Sequence, residues 1–156
     1  MSYDEAQGYA VLATLAAPLL AMLILVFVPG NQKTAVRYIS AFFAAVMLGL
    51  SVYIFAAYQF EGPSFDAGHG IQMQLHWTWI ENTGFLGEDG ISLYLGVDGI
   101  SSLLVLLTGV VAFAGTLVSW KLDFRTKDFF ILFWMLVAGV YGTFFSLDLF
   151  FFFFFY

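Results

Sequence analysis

Four long stretches of the sequence contain no charged residue. They cover residues 8–29, 38–60, 99–120 and 129–147. Each is close to the roughly 20 residues that an α-helix needs to cross a hydrocarbon layer of about 30 Å. Only 10% of the residues are charged and 62% are hydrophobic, so the chain has too little polar surface for a water-soluble domain. The sequence therefore predicts an all-α membrane protein that folds as a multi-pass helical bundle.

A fifth apolar stretch begins at Leu149 and reaches Tyr156. Its eight residues would extend only about 12 Å as a helix, which is too short to cross a bilayer. We therefore expect four full spans and the start of a fifth. The first stretch follows two acids, Asp4 and Glu5, and is longer than the core of a signal peptide, so we expect it to remain in the mature protein.

The basic residues are confined to two short connections between spans. Lys and Arg total five: Lys33 and Arg37 after the first span, and Lys121, Arg125 and Lys127 after the third. The positive-inside rule places both connections on the cytoplasmic or matrix side of the membrane. The N-terminal segment and the connection at 61–98 hold no Lys or Arg, so both are expected outside, with the N-terminus outside as well.

The connection between the second and third spans has the period of β-strands. Apolar and polar residues alternate over 71–80 and again over 91–97, with several glycines between the two runs. This pattern predicts an extramembrane β-hairpin between spans two and three, with an apolar face that packs on another surface. We therefore divide the chain into a first helical pair at 1–60, an outer loop with the hairpin at 61–98, and the third, fourth and incipient fifth spans at 99–156.

Small residues repeat at four-residue spacing in two of the spans. Ala41, Ala45 and Gly49 form one such stripe, and Ala138 and Gly142 form another. Small side chains let neighbouring membrane helices approach closely. Both stripes are therefore predicted to be helix-packing sites.

The polar residues of the outer loop do not form a recognisable catalytic or metal site. The candidate ligands are His69, His76, Glu81, Glu88 and Asp89. They match neither calcium-loop spacing nor a His-x-x-x-His pair, and no nucleophile or phosphate-loop motif occurs, so we expect no catalytic, cofactor-binding or metal residues in this chain. The chain has no Cys, which excludes a thiol nucleophile and an iron–sulfur cluster, and its net charge of −6 argues against a nucleic-acid partner.

None of the four uncharged stretches contains Asp, Glu, Lys, Arg or His. Moving protons or ions through a bilayer requires titratable groups inside the helix bundle. The nearest acid is Asp148, where the fourth span meets the fifth stretch, and it is either a helix-terminus acid exposed to water or a contributor to a proton path on the outer side. Asp98 precedes the third span and is expected to cap its N-terminus.

Two motifs in the second half of the chain carry a family resemblance. The first, at the head of the third span, consists of Gly96, Val97, Asp98, Gly99, Ile100 and Ser101. The second is the sequence Phe-Phe-Ser-Leu-Asp-Leu-Phe at 144–150, followed by the run of Phe up to Tyr156. With these motifs and the arrangement of its spans, the chain resembles the N-terminal portion of subunit M of respiratory complex I, which is subunit 4 in mitochondrial naming.

The resemblance implies an antiporter-like subunit of the membrane arm of NADH:quinone oxidoreductase, a translocase that couples electron transfer from NADH to quinone to proton transport. It implies the lipid bilayer and the other membrane-arm subunits as partners, in the bacterial inner membrane or the mitochondrial inner membrane. NADH, flavin, iron–sulfur clusters and quinone would be bound elsewhere in the complex, and this chain would hold no redox centre. The family's glutamate in helix five would follow Tyr156, so only Asp148 maps near the family's proton path.

Two other interpretations remain open at this point. Sodium/proton antiporter complexes contain homologous subunits that share much of this pattern. A membrane scaffold without a transport role would also fit the uncharged spans. Co-purification with NADH-oxidising, flavin-containing subunits would favour complex I, whereas sodium/proton exchange without redox activity would favour an antiporter.

Overall fold

The structure is a computed structural model that describes residues 3–61, 70–80 and 91–156, with the side chains of all of these except 3–7 and 59–61. In chain order its elements are α1 (Tyr3–Phe27), α2 (Lys33–Glu61), β1 (Gln72–Ile80), β2 (Ile91–Val97), α3 (Gly99–Val118), α4 (Thr126–Phe145) and α5 (Leu149–Phe155). A short 3-10 turn at Ser119–Lys121 follows α3.

Four helices are long and apolar enough to cross a membrane. The candidate spans are Gly8–Phe27, Lys33–Tyr58, Gly99–Lys121 and Thr126–Phe145. With the antiparallel hairpin of β1 and β2 between the second and third helices, they confirm the predicted multi-pass bundle. The helix α2 starts earlier than the uncharged stretch and includes Lys33 and Arg37 in its first turns, because long basic side chains can reach water from a helix end.

Each span buries one side and exposes large apolar side chains on the other. The largest buried side chains come from α4: Phe130, Trp134, Tyr141 and Phe145 are all fully buried. On α3, Leu107 and Val111 are more than half exposed, as expected for helices surrounded by hydrocarbon. The main packing pairs are α2 with α3, and α1 with both α4 and α2.

The two small-residue stripes differ in whether another part of the chain packs against them. Gly142 faces the ring of Phe155, and a side chain at this position would overlap that ring, so close packing at the stripe on α4 is confirmed. On α2, Ala45 and Gly49 are exposed, and a Cβ atom at Gly49 would meet nothing within 4 Å among the described residues. The prediction of close packing is therefore wrong for α2 within this part of the chain, because residue spacing identifies a stripe but not the direction it faces.

Both basic connections lie at one end of the bundle, which we call the cationic end. Arg37 Nη2 donates to the carbonyl of Leu122 at 3.1 Å and to Asp123 Oδ1 at 2.7 Å. Lys33 Nζ donates to the carbonyl of Asp123 at 2.8 Å. These contacts between the start of α2 and the α3–α4 connection confirm that the bases share a side.

The hairpin lies over the opposite end of the bundle, which we call the hairpin end. The backbone N–H of Leu147, just after α4, donates to the carbonyl of Tyr94 at 2.8 Å, and the hydroxyl of Tyr58 on α2 donates to the carbonyl of Gly70 at 3.0 Å. Leu95 and Val97 of β2 are fully buried, so the predicted apolar face does pack on the helices.

The face of β1 is less regular than its alternating sequence suggests. Met73 is buried and has a positive φ of 56°, and the pairing with β2 shifts between Gln72 and Leu75. Beyond this bulge, Trp77 is 73% exposed. The predicted turn at 81–90 and the candidate ligands His69, Glu81, Glu88 and Asp89 lie outside the described residues.

Candidate functional site

The motif at the head of the third span forms a packed junction at the hairpin end. Asp98 caps α3: the backbone N–H of Ser101 donates to its Oδ1 at 2.6 Å, and Ser102 N–H donates to its carbonyl at 2.9 Å. The expected N-cap is therefore confirmed. Capping satisfies backbone amides that the first turn of a helix leaves unpaired.

Gly96 of this motif stands where other side chains leave no room, whereas Gly99 lies at ordinary contact distance from a tyrosine. A Cβ atom at Gly96 would lie 2.7 Å from Leu147 Cδ1 and 2.8 Å from Ile71 Cγ2. A Cβ atom at Gly99 would lie 3.4 Å from the hydroxyl oxygen of Tyr58. The motif thus brings β2 and α3 against three other parts of the chain, and the absence of a side chain at Gly96 permits the closest of these approaches.

Asp148 caps α5 in the same way. Its Oδ1 accepts the backbone N–H of Phe150 at 2.7 Å and that of Phe151 at 3.2 Å, and the hydroxyl of Ser146 donates to its carbonyl at 2.9 Å. Among the described residues no basic side chain forms an ion pair with Asp148. The carboxylate is only half-buried, at the hairpin end of the bundle.

The structure brings the two caps to the same end of the bundle, where β2 lies between them. Val97 at the end of β2 immediately precedes Asp98, and Leu95 forms an isolated β-bridge with Ser146, two residues before Asp148. No hydrogen bond joins the two carboxylates among the described residues. The arrangement can hold helix ends in place and present acids to water, but it positions no nucleophile or acid–base pair.

Next to Asp148 the hairpin and α5 form an aromatic groove of about 540 Å³. It is lined by Trp77, Thr78, Trp79, Leu93, Phe150, Phe151 and Phe154. The ring of Trp79 lies 6.1 Å from that of Phe150 and 5.9 Å from that of Phe151. The exposed tryptophans therefore sit at the level of the first turn of α5. The strand alternation indicated an apolar face here, but the groove itself depends on where α5 starts.

Sequence reasoning missed a buried polar contact inside the bundle. The hydroxyl oxygens of Ser51 on α2 and Tyr141 on α4 lie 2.7 Å apart, and both side chains are buried. Ser51 donates to the carbonyl of Met47 at 2.8 Å, so Tyr141 donates to Ser51. No motif links the two residues, and only the rotation of each helix about its axis brings them together.

No cluster of metal-ligand side chains is built from the residues that the structure describes. Within 3–61, 70–80 and 91–156 no three His, Asp or Glu side chains come close enough to hold a metal ion. His76 lies on exposed β1, where its ring contacts Tyr94 edge to face at 5.4 Å.

Comparison with known proteins identifies relatives over most of the chain. NADH-quinone oxidoreductase subunit M of Pseudomonas aeruginosa is 37% identical over 128 residues, which is 80% of this chain and 24% of that protein. This chain is homologous to the N-terminal quarter of subunit M. NAD(P)H-quinone oxidoreductase chain 4 2 of Trichodesmium erythraeum is 30% identical over 85% of this chain and 22% of its own length.

A chloroplast relative shows a similar level of identity over a similar part of this chain. NAD(P)H-quinone oxidoreductase chain 4 of Chara vulgaris is 32% identical over 87% of this chain and 25% of its own length. No family model matches the chain. The chain thus spans about a quarter of the length of the curated relatives it matches. It is homologous to a subunit of the NADH-quinone oxidoreductase complex, as the resemblance of its motifs predicted.

Proposed function

We propose that this chain forms the first part of an antiporter-like membrane-arm subunit in a proton-pumping NADH:quinone oxidoreductase. The observation that carries the proposal is the 37% identity to subunit M, which extends over 80% of this chain. The likeness therefore extends over spans and connections and is not confined to a short motif. NADH, flavin, iron–sulfur clusters and quinone would be bound by other subunits of the complex.

Within that complex, the described part of the chain is a structural scaffold that carries no proton across the bilayer itself. Its four uncharged stretches offer no Asp, Glu, Lys, Arg or His that could pass a proton across the bilayer. The polar contact between Ser51 and Tyr141 in its interior joins one helix to another. The protons would therefore cross the bilayer through parts of the subunit that have no counterpart among these residues.

The identity of the co-purifying proteins tests this proposal. The full chain, affinity-tagged and extracted from its own membrane in mild detergent, should purify with flavin-containing subunits that oxidise NADH. Purification with a complex that exchanges sodium for protons without NADH oxidation would replace the proposal with the antiporter interpretation. Purification with proteins that show neither activity would favour the interpretation as a membrane scaffold without a transport role.

We further propose that the aromatic groove beside α5 contacts a neighbouring membrane-arm subunit. The groove is lined almost entirely by apolar side chains, and Trp77 and Trp79 are 73% and 62% exposed there. Leu93 lies inside this groove. A charge placed there by Leu93→Lys should reduce the amount of assembled complex while the four spans still insert, whereas normal assembly of the variant would contradict the contact.

We also propose that Asp148 contributes to proton exchange on the outer side of the membrane. Asn caps helices as well as Asp does, so Asp148→Asn removes the charge and keeps the cap of α5. The matched control is Asp98→Asn, which makes the same change at the cap of α3. We expect a lower proton-to-electron ratio of the assembled complex only in Asp148→Asn. Equal ratios in both variants and the wild type would leave Asp148 with a capping role alone.

The proposed location is the bacterial inner membrane, with the mitochondrial inner membrane as the alternative. We propose that the N-terminus and the hairpin segment at 61–98 face outside, and that the segments 1–60 and 99–156 lie mostly in the membrane. The support is the confinement of all five basic residues to the cationic end, which the positive-inside rule assigns to the cytoplasm or matrix.

A further inference from the structure

At the cationic end an aromatic pair and a lysine lie together on the lipid-facing surface. The rings of Tyr38 on α2 and Trp120 in the 3-10 turn contact edge to face, with centroids 5.3 Å apart. Tyr38 is 63% exposed, and the residue after Trp120, Lys121, is exposed as well. We call Tyr38, Trp120 and Lys121 the Lys121 patch.

Lys121 differs from the other bases at this end because its ammonium group has no partner among the described residues. The other four are engaged: Lys33 with the Asp123 carbonyl, Arg37 with the Asp123 carboxylate, Arg125 with Asp128, and Lys127 with the Val26 carbonyl. With five bases and the two acids Asp123 and Asp128, this end carries a net charge of +3. Lys121 is therefore available to an anion in a positive field.

The surface next to the patch is apolar. Phe42, one helical turn along α2 from Tyr38, is 64% exposed, and Leu117, three residues before Trp120, is 48% exposed. Tyrosine and tryptophan favour the depth of lipid headgroups, with apolar side chains on the hydrocarbon side of them. A ligand that matches both the charge of Lys121 and this surface has an anionic head and a hydrocarbon tail.

We propose that the Lys121 patch binds an anionic phospholipid. The phosphodiester of the headgroup pairs with the ammonium of Lys121 beside the Tyr38–Trp120 pair, and an acyl chain lies along the exposed side chains of Phe42 and Leu117. The net charge of +3 favours an anionic headgroup over a zwitterionic one. The site depends neither on the proposed respiratory function nor on which side of the membrane the cationic end faces.

Native mass spectrometry of the full chain, purified together with the proteins it assembles with, tests the site. The probes are phosphatidylglycerol and phosphatidylcholine with the same acyl chains, each added to delipidated protein. We expect phosphatidylglycerol to be retained in preference to phosphatidylcholine. Lys121→Gln should weaken the retention of phosphatidylglycerol about fivefold, the effect of one lysine beside an anionic lipid.

The matched control is Lys127→Gln, which removes the same charge from the same end but at a lysine already bound to the Val26 carbonyl. This variant should keep the lipid preference. Equal losses in the two variants would mean that the net charge attracts lipid without a site, and equal retention of both lipids would also overturn the proposal. Displacement of the lipid by millimolar inorganic phosphate would identify a simple anion site in its place.

Discussion

The hydroxyl of Tyr141 donates a hydrogen bond of 2.7 Å to the hydroxyl of Ser51, and this bond joins α4 to α2 in the interior of the bundle. In hydrocarbon no water replaces a lost partner, so such a bond fixes how the two helices are rotated relative to each other.

Removal of the serine should therefore destabilise the bundle more than removal of the tyrosine hydroxyl. Ser51→Ala leaves the Tyr141 O–H without an acceptor and should cost about 1–2 kcal/mol of unfolding free energy. In Tyr141→Phe, Ser51 still donates to the Met47 carbonyl, so the cost should be about 0.6 kcal/mol. Reversible unfolding in mixed detergent micelles measures both. The control is Ser40→Ala, which removes a buried hydroxyl that has no hydrogen-bond partner in the described part of the chain and should cost nothing. A loss in Ser40→Ala as large as that in Ser51→Ala would contradict this account.

Gly109 should tolerate no side chain, because it lies against the same serine. A Cβ atom there would be 2.6 Å from Ser51 Oγ and 2.8 Å from Ser51 Cβ. Gly109→Ala should force α3 away from α2 and cost about 1–3 kcal/mol. Gly49→Ala is the control on α2, where an added Cβ atom meets nothing within 4 Å in 3–61, 70–80 and 91–156, and it should be neutral or stabilising. Thermal unfolding of the two variants in one detergent compares them, and similar melting temperatures would refute the close approach.

Two exposed glycines at opposite ends of the bundle can test the orientation. Gly30 lies at the cationic end and Gly70 at the hairpin end, and a Cβ atom at either would meet no described residue within 4 Å. The chain has no Cys, so a single cysteine reports alone. In intact cells, an impermeant maleimide should label Gly70→Cys at once and Gly30→Cys only after the membrane is permeabilised. The reverse labelling pattern would invert the proposed orientation.

The two ion pairs of the cationic end should differ in their importance. The Arg37 side chain is 17% exposed and ties α2 to the α3–α4 connection, whereas Arg125 is 70% exposed and pairs with Asp128 three residues away. We expect Arg37→Gln to cost about 1.5–3 kcal/mol, as is usual for hydrogen bonds of a charged group. Arg125→Gln should change the unfolding free energy by less than about 1 kcal/mol. Equal effects in the two variants would show that the contact between α2 and the connection adds no stability.

The features that could be predicted from the sequence are those that depend on local pattern. The length of each uncharged stretch sets a span, the position of the basic residues sets a shared end, and Asp98 directly before an apolar stretch is a typical helix cap. Each of these needs only a short window of sequence.

The features that could not be predicted depend on how distant elements are oriented. Ser51 and Tyr141 are 90 residues apart and meet only because of the rotation of α2 and α4. The stripe at Ala45 and Gly49 faces outward but has the same residue spacing as a buried stripe. Because every face of a membrane helix is apolar, the sequence does not show which face is buried. On β1, the bulge at Met73 separates a buried methionine from exposed tryptophans that its alternating sequence places on one face.

The bond from Leu147 to Tyr94 constrains the order in which the protein can be completed during synthesis. Tyr94 is synthesised before α4, but its carbonyl accepts from the backbone N–H of Leu147, which follows α4 in the chain. The contact of the hairpin with the end of α4 can therefore form only after the fourth helix has been made, whereas its contacts with α1 and α2 involve residues that are synthesised earlier.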